Sequence, residues 1–374
     1  MDTIFHKMNE PQLLNNLSKI VVFLLLFFSF FLLTVSSNKR KSNQLFAVFL
    51  MLIAFDMTGF FLNDWYQKKP IVDYLRNSST LLQLPILYFY VRSVCYSNFL
   101  LKFKDCIHGL LFLSFFIFFL IFSTSETIFF ALQTIGEAQY IGYMVLIFLT
   151  LNQYKKSYLE NYTNPENLSY KWLSQMITVL LIAHLFVVTK FLFGFSNDLN
   201  LQLLLNVIVS IIALLVSSYF VLKALYQPQL FRGIELKEEP ISVLIKKESK
   251  QLISELTPEI EEKIKTLETF MSEEESFLDA ELTIQNLALQ IGFPQKELST
   301  LINQHLGKHF FDFINEYRIQ KAKSILENPE SKEVTVLEIL YQVGFNSKSS
   351  FNTAFKKQCQ LTPIEYRKQA LSKK

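Results

Sequence analysis

Cysteine is scarce in this chain of 374 residues, which holds only Cys95, Cys106 and Cys359. Three scattered thiols build neither a disulfide framework nor a metal site, and no His-rich cluster stands beside them, so a metalloenzyme is excluded. There is no glycine-rich phosphate loop, no zinc motif and no nucleophile–base pattern, which removes the usual grounds for catalysis or a bound cofactor. Pro85 is the only proline inside a predicted helix, whereas a transporter should show broken helices in matching halves. Charge is low as well, at 18% of residues against about 25% in soluble domains.

What is abundant is apolar: 51% of the chain is hydrophobic and phenylalanine alone occurs 38 times. Residues 1–233 hold 29 of those phenylalanines with 17 basic and 11 acidic residues; residues 234–275 hold 6 basic and 12 acidic; residues 276–374 hold 13 basic and 10 acidic. This division predicts a membrane region, an acidic helical connector and a mildly basic tail. Windows of about 20 apolar residues, the length needed to cross a bilayer, occur near 18–36, 44–63, 78–97, 106–123, 132–153, 172–194 and 201–225. The fifth is the weakest because it contains Glu137. The first is too long for a signal-peptide core and has no small-residue cleavage site, so it is expected to be a retained anchor.

Seven spans with the N-terminus outside place eleven Lys and Arg on the inner side, including Lys39, Arg40, Lys41, Lys155 and Lys156, against six on the outer side. The C-terminus is then inside. Outer loops are short, so a stimulus must act within the bundle, on those loops or through a partner. Ionisable groups at membrane depth are costly and mark candidate sites. Asp56 falls in the middle of the second window and His184 in the middle of the sixth. They are either a hydrogen-bonded pair that holds the bundle together or groups lining a sensing cavity between helices.

In the connector, Ile241, Leu244, Ile245, Leu252, Ile253 and Leu256 form a helical stripe. Thr257-Pro258 reads as a cap followed by a first-turn proline, and Ile260, Ile264 and Leu267 continue on a second helix. The stripe is that of a solvated helix with one sticky face or of a signalling, dimerising helix.

The tail repeats itself. Thr283-Ile-Gln-Asn-Leu-Ala-Leu-Gln-Ile-Gly-Phe293 returns as Thr335-Val-Leu-Glu-Ile-Leu-Tyr-Gln-Val-Gly-Phe345 at an offset of 52. After Phe345 the second copy has one extra residue, and Leu298, Leu301 and Ile302 match Phe351, Ala354 and Phe355 at an offset of 53. Each copy reads as a capped helix, a glycine turn and a second helix. Thr283 and Thr335 are N-caps, Glu338 completes a capping box, and Gly292 and Gly344 take the positive φ that ends the first helix. Between the copies, Phe310–Leu326 is an amphipathic helix of about 26 Å, a length suited to holding two heads about one duplex turn apart.

Those motifs resemble the DNA-binding domain of the AraC/XylS family of transcription regulators. The resemblance covers residues 276–367, about a quarter of the chain, and extends through Leu306-Gly307, Phe313-Ile314, Arg318, Ala322, Phe355-Lys356-Lys357, Thr362-Pro363 and Tyr366-Arg367. Leu340 departs from it at a small-residue place, Gln360 where the family commonly has Gly, and Thr353 where it often has Arg. The resemblance implies that Lys296, Ser299, Thr300 and Asn303 of the first unit, and Lys348, Ser349, Asn352 and Thr353 of the second, face double-stranded promoter DNA. These are also the polar positions opposite the apolar stripe, of types that pair with base edges. Lys356, Lys357 and Arg367 are expected on phosphates, which position without specifying.

The expectation is an all-α chain: a polytopic seven-helix membrane bundle (1–233), a connector (234–275) and a cytoplasmic double helix-turn-helix domain (276–374). Its implied role is that of a one-component regulator in a bacterial inner membrane, in contact with lipid, with RNA polymerase as a partner by family and homodimerisation open. The rival readings are a transporter, or a scaffold whose tail binds another protein.

Overall fold

A chain segment that is apolar for hundreds of residues can satisfy its backbone in lipid only by coiling on itself, and the described residues between 10 and 232 are mostly helical. The computed structural model describes residues 10–37, 39–96, 99–122, 126–163, 168–193, 199–232, 257–328 and 333–372. Regular structure among these is helical throughout, apart from one bridge pairing Tyr162 with Thr283. By packing, the chain divides into two units: residues 1–152 with 168–239, and residues 153–167 with 240–374.

The first unit contains helices α1 (Glu10–Thr34), α2 (Arg40–Met57), α3 (Pro70–Cys95), α4 (Leu110–Phe122), most of α5 (Glu126–Leu159), α6 (Leu168–Phe193) and α7 (Leu199–Tyr226). Among the described residues, six stretches are long and apolar enough to cross a membrane: Gln12–Thr34, Arg40–Phe60, Phe103–Phe122, Phe130–Leu159, Tyr170–Phe193 and Asn200–Tyr226. The window expected at 78–97 is not among the six. It lies in α3, whose 26 residues include Asp73, Arg76, the run Asn77-Ser78-Ser79-Thr80, Gln83 and Arg92, too polar a set to qualify by composition. The polar run is turned inward, with Asn77, Ser78 and Ser79 all buried.

Aromatic packing explains the use of so much phenylalanine. Phe46 of α2 stacks on Tyr90 of α3 at 4.6 Å and meets Trp172 of α6 and Phe220 of α7 edge-on at 6.3 and 6.0 Å. The indole Nε1 of Trp172 donates to the Tyr90 hydroxyl at 2.9 Å, so this apolar centre leaves neither polar tip unpaired. Other phenylalanines, such as Phe23, Phe27 and Phe30, point outward as lipid-facing side chains do. Helix α4 is apolar on every side and buries only Phe119.

The two intramembrane candidates have separate partners. Arg76 reaches Asp56 at 3.4 Å while holding Asp73 at 2.8 Å, and its guanidinium lies over the Tyr66 ring. The close approach of Arg76 requires Gly59, where a Cβ would lie 2.4 Å from Nη1. His184 pairs through Nε2 with Glu137 at 2.9 Å, under the stacked ring of Tyr140.

The expected stripe from Ile241 to Leu256 lies outside the described residues. The second connector helix, α8 (Pro258–Glu274), starts at the expected Thr257-Pro258. Rather than standing free, it buries Leu267 and Met271 in the core of the domain that follows. That domain continues with α9 (Ile284–Ile291), α10 (Gln295–Thr300), α11 (Phe310–Glu327), α12 (Val336–Gln342), α13 (Lys348–Cys359) and α14 (Pro363–Ser372).

Two cores share α11. Phe310, Phe313 and Ile314 from its first half join α8, α9 and α10, while Ile319, Ala322 and Leu326 from its second half join α12 and α13. Arg318 stands between them, almost wholly buried.

Candidate nucleic-acid interface

Both helix-turn-helix copies are built by local rules that the chain states twice. The Thr283 hydroxyl accepts the Asn286 amide at 3.1 Å, and Thr335 accepts Glu338 at 3.1 Å. Glu338 answers by accepting the Thr335 amide at 2.7 Å, completing the reciprocal box. Gly292 and Gly344 end their helices at φ 78° and 86°. In each copy the amide of the next residue, Phe293 or Phe345, then donates to the carbonyl of Ala288 or Leu340 at 2.9 Å. The offset changes from 52 to 53 at the next cap: Pro294 caps α10 and Ser347 caps α13, its hydroxyl accepting the Ser350 amide.

Helix α10 keeps its α form only to Thr300, then widens into a π-turn over Leu301–His305 before Gly307 turns the chain at φ 66°. The widened turn keeps Leu301 and Ile302 inward. Leu298, Leu301 and Ile302 are buried, as are Phe351, Ala354 and Phe355, so the apolar stripe of each second helix is fully used.

The opposite faces carry the expected polar residues. Lys296 is exposed, with Ser299, Thr300 and Asn303 half-buried beside it. Asn303 Nδ2 donates to Ser299 Oγ at 3.1 Å, and Thr300 Oγ1 donates to the Lys296 carbonyl at 2.9 Å. In the second unit Lys348, Ser349 and Thr353 are exposed and Asn352 is half-buried.

The phosphate candidates divide. Lys356 is exposed. Lys357 pairs with Asp312 of α11 at 2.7 Å. Arg367 turns Nε and Nη2 away from solvent, where neither has a hydrogen-bond partner among the described residues. The first unit is also tied to α8, where Lys263 bridges Glu259 at 2.7 Å and Glu297 of α10 at 2.6 Å. Those two carboxylates, Glu259 foremost, hold the Lys263 ammonium protonated well above the ordinary lysine range.

Sequence reasoning included Arg318 only as a motif letter, but it locks the two units together. Its Nε and Nη2 donate to the carbonyls of Phe277 and Asp279, each at 2.7 Å, and its guanidinium lies 5.5 Å from the Phe345 ring centre. Burial lowers its pKa to about 10, partly offset by the Asp279 and Glu281 carboxylates, so it stays charged at neutral pH. The signal available in sequence was a charged residue on the apolar face of an amphipathic helix. Also missed were the partners Arg76 and Glu137 in the membrane region, and the short segment 160–163, which no motif marks.

In comparison with known proteins, residues 278–369 match the family model of a helix-turn-helix domain. The uncharacterized HTH-type transcriptional regulator YdeC of Bacillus subtilis is 34% identical over 87 residues, which are 23% of this chain and 29% of that protein. The HTH-type transcriptional regulator MtrA of Neisseria gonorrhoeae is 31% identical over 90 residues, 24% of this chain and 29% of that protein. Among solved structures, the C-terminal domain of the two-component response regulator yesN from Fusobacterium nucleatum is 31% identical, with a TM-score of 0.25 over 28% of this chain and 98% of that one. The chain thus spans under a third of the length of these curated relatives.

Proposed function

We propose that this protein is a membrane-anchored transcription regulator that binds promoter DNA through both helix-turn-helix units and responds to a signal received by its membrane helices. The observation that carries this reading is the pair of second helices, α10 and α13, each with a buried apolar stripe and an opposite face of base-reading residue types. Lys296, Ser299, Thr300 and Asn303 read one half-site; Lys348, Ser349, Asn352 and Thr353 read the other. Lys356, Lys357 and Arg367 hold phosphates. The basic residues are concentrated after Thr335, with 7 against 2 acidic, so most of the phosphate attraction resides in the second unit.

In this reading α3, which packs against α2, α4 and α6, is a seventh span. The N-terminus is then outside, the DNA-binding domain is cytoplasmic, and the loops richest in Lys and Arg lie inside. The pairs Asp56–Arg76 and His184–Glu137 are where a stimulus shifts the bundle. RNA polymerase is the partner at the promoter, and confinement to the membrane plane favours a homodimer by raising local concentration.

The test is genome-wide footprinting of the full-length protein in native membranes beside a Lys348→Ala/Asn352→Ala variant. Discrete promoter sites that vanish in the variant, with the helical content unchanged, are expected. Absence of sites for the wild type would refute the reading and favour a scaffold.

A further inference from the structure

Residues 160–163 belong by packing to the second unit, although they directly follow α5. Each of the four touches the first helix-turn-helix unit. Glu160 lies 4.0 Å from Nδ1 of His309. The Asn161 carbonyl accepts the Ile284 amide at 3.1 Å, at the start of α9. Tyr162 pairs with Thr283 as an antiparallel bridge. Thr163, 2% exposed, donates its hydroxyl between the carbonyls of Leu282 at 3.0 Å and Ala280 at 3.3 Å. A buried hydroxyl and a bridge are directional contacts, and no comparable contact follows from apolar patterning alone.

The segment they hold is shared. Within residues 277–284, the Phe277 and Asp279 carbonyls receive Arg318 from α11. The Phe277 and Leu278 carbonyls also lie where a Cβ on Gly344 would come within 2.7 Å, so the turn of the second unit rests on them. Moving residues 280–284 therefore disturbs both supports that set one reading unit against the other.

Two candidate spans, Tyr170–Phe193 and Asn200–Tyr226, separate this loop from the C-terminal domain. An even number places the loop and the domain on the same side of the membrane whatever the orientation of the bundle.

We infer that residues 160–163 are an intrachain docking surface through which the membrane helices act on the DNA-binding domain, by fixing segment 280–284 and with it the spacing of the two reading units. The inference rests on the proposed DNA-binding role. It assigns transmission to the loop after α5 instead of to the connector preceding α8.

The test uses the full-length chain in membranes. Facing residues of an antiparallel bridge of this hydrogen-bond pattern have Cα atoms about 4.5 Å apart, within disulfide range. A Tyr162→Cys/Thr283→Cys variant should cross-link on mild oxidation, with Tyr162→Cys alone as the control for the native thiols. Promoter affinity should change at least threefold on oxidation and return on reduction. Thr163→Val, which removes the hydroxyl without a cross-link, should shift affinity in the opposite direction and alter the relative protection of the two half-sites. Failure to cross-link would overturn the contact. Efficient cross-linking with unchanged affinity and footprint in both variants would overturn its role. A wild-type chain without any footprint would overturn the DNA-binding reading and that role together, while cross-linking still judges the contact by itself.

Discussion

Replacing Arg318 with methionine removes two charge-assisted hydrogen bonds, to Phe277 and Asp279, and leaves both carbonyls facing an apolar side chain. Bonds from a charged donor each contribute about 1.5–3 kcal/mol net, so the gross loss is about 3–6 kcal/mol. Methionine packs well and has no charge to desolvate, which returns part of that loss, for a net destabilisation of about 3–4 kcal/mol. Urea unfolding of a 257–374 fragment, followed by far-UV circular dichroism, measures it. With a slope of about 1.5 kcal/mol/M, the midpoint should fall by about 2 M. Arg318→Lys should fall between, because an ammonium lacks the planar fork that spans two carbonyls. A methionine variant less than about 1 kcal/mol below wild type would refute the claim that Arg318 locks the two units.

Gln360 closes α13 at φ 59°, a left-handed conformation that costs a non-glycine residue about 1 kcal/mol. Gln360→Gly should accordingly raise the melting temperature of the domain, and an unchanged or lower value would contradict the strain. Glu338 and Glu365 are held below the ordinary carboxylate range, first by the backbone amides of Thr335 and Thr362 and then by their hydroxyls. A depressed carboxylate stabilises the fold above its unfolded pKa and loses that contribution as pH falls through the folded one. The melting temperature should therefore drop as the pH goes below 4.5, and less steeply in Thr335→Ala, in a series of thermal melts. Lys356→Ala should lower affinity about equally at every DNA site and reduce the slope of log K against log salt by about one, measured by titration between low and moderate salt.

The parts of the fold legible in the sequence were those written in local code. Thr283, Gly292, Thr335 and Gly344 each act within four residues of themselves, and the repeat offset of 52, then 53, matched Leu298, Leu301 and Ile302 to Phe351, Ala354 and Phe355, which are all buried. Of the seven hydropathy windows, six fall on the helices long and apolar enough to cross a membrane; the seventh, at 78–97, overlooked the polarity of α3, whose Asn77, Ser78 and Ser79 are buried and whose Arg76 is answered by Asp56 and Asp73. Pairings across sequence distance left no trace. His184 finds Glu137 47 residues away, and Thr163 finds Leu282 at a separation of 119. The residues proposed to face DNA could be named because they are the complement of the buried stripe, whereas the ion pair that occupies Lys357 depends on how α11 and α13 pack.

The helix α11, shared by both cores, also acts as a phase setter. An α-helix turns about 100° and advances about 1.5 Å per residue. One residue inserted between Ile314 and Ile319 would swing the second core about a third of a turn around the first while barely lengthening the domain. The number of residues between the two cores therefore fixes the angle between the two helix-turn-helix units, and under the proposed function a change there would retarget the protein to a different half-site geometry without altering any of the proposed base-reading side chains.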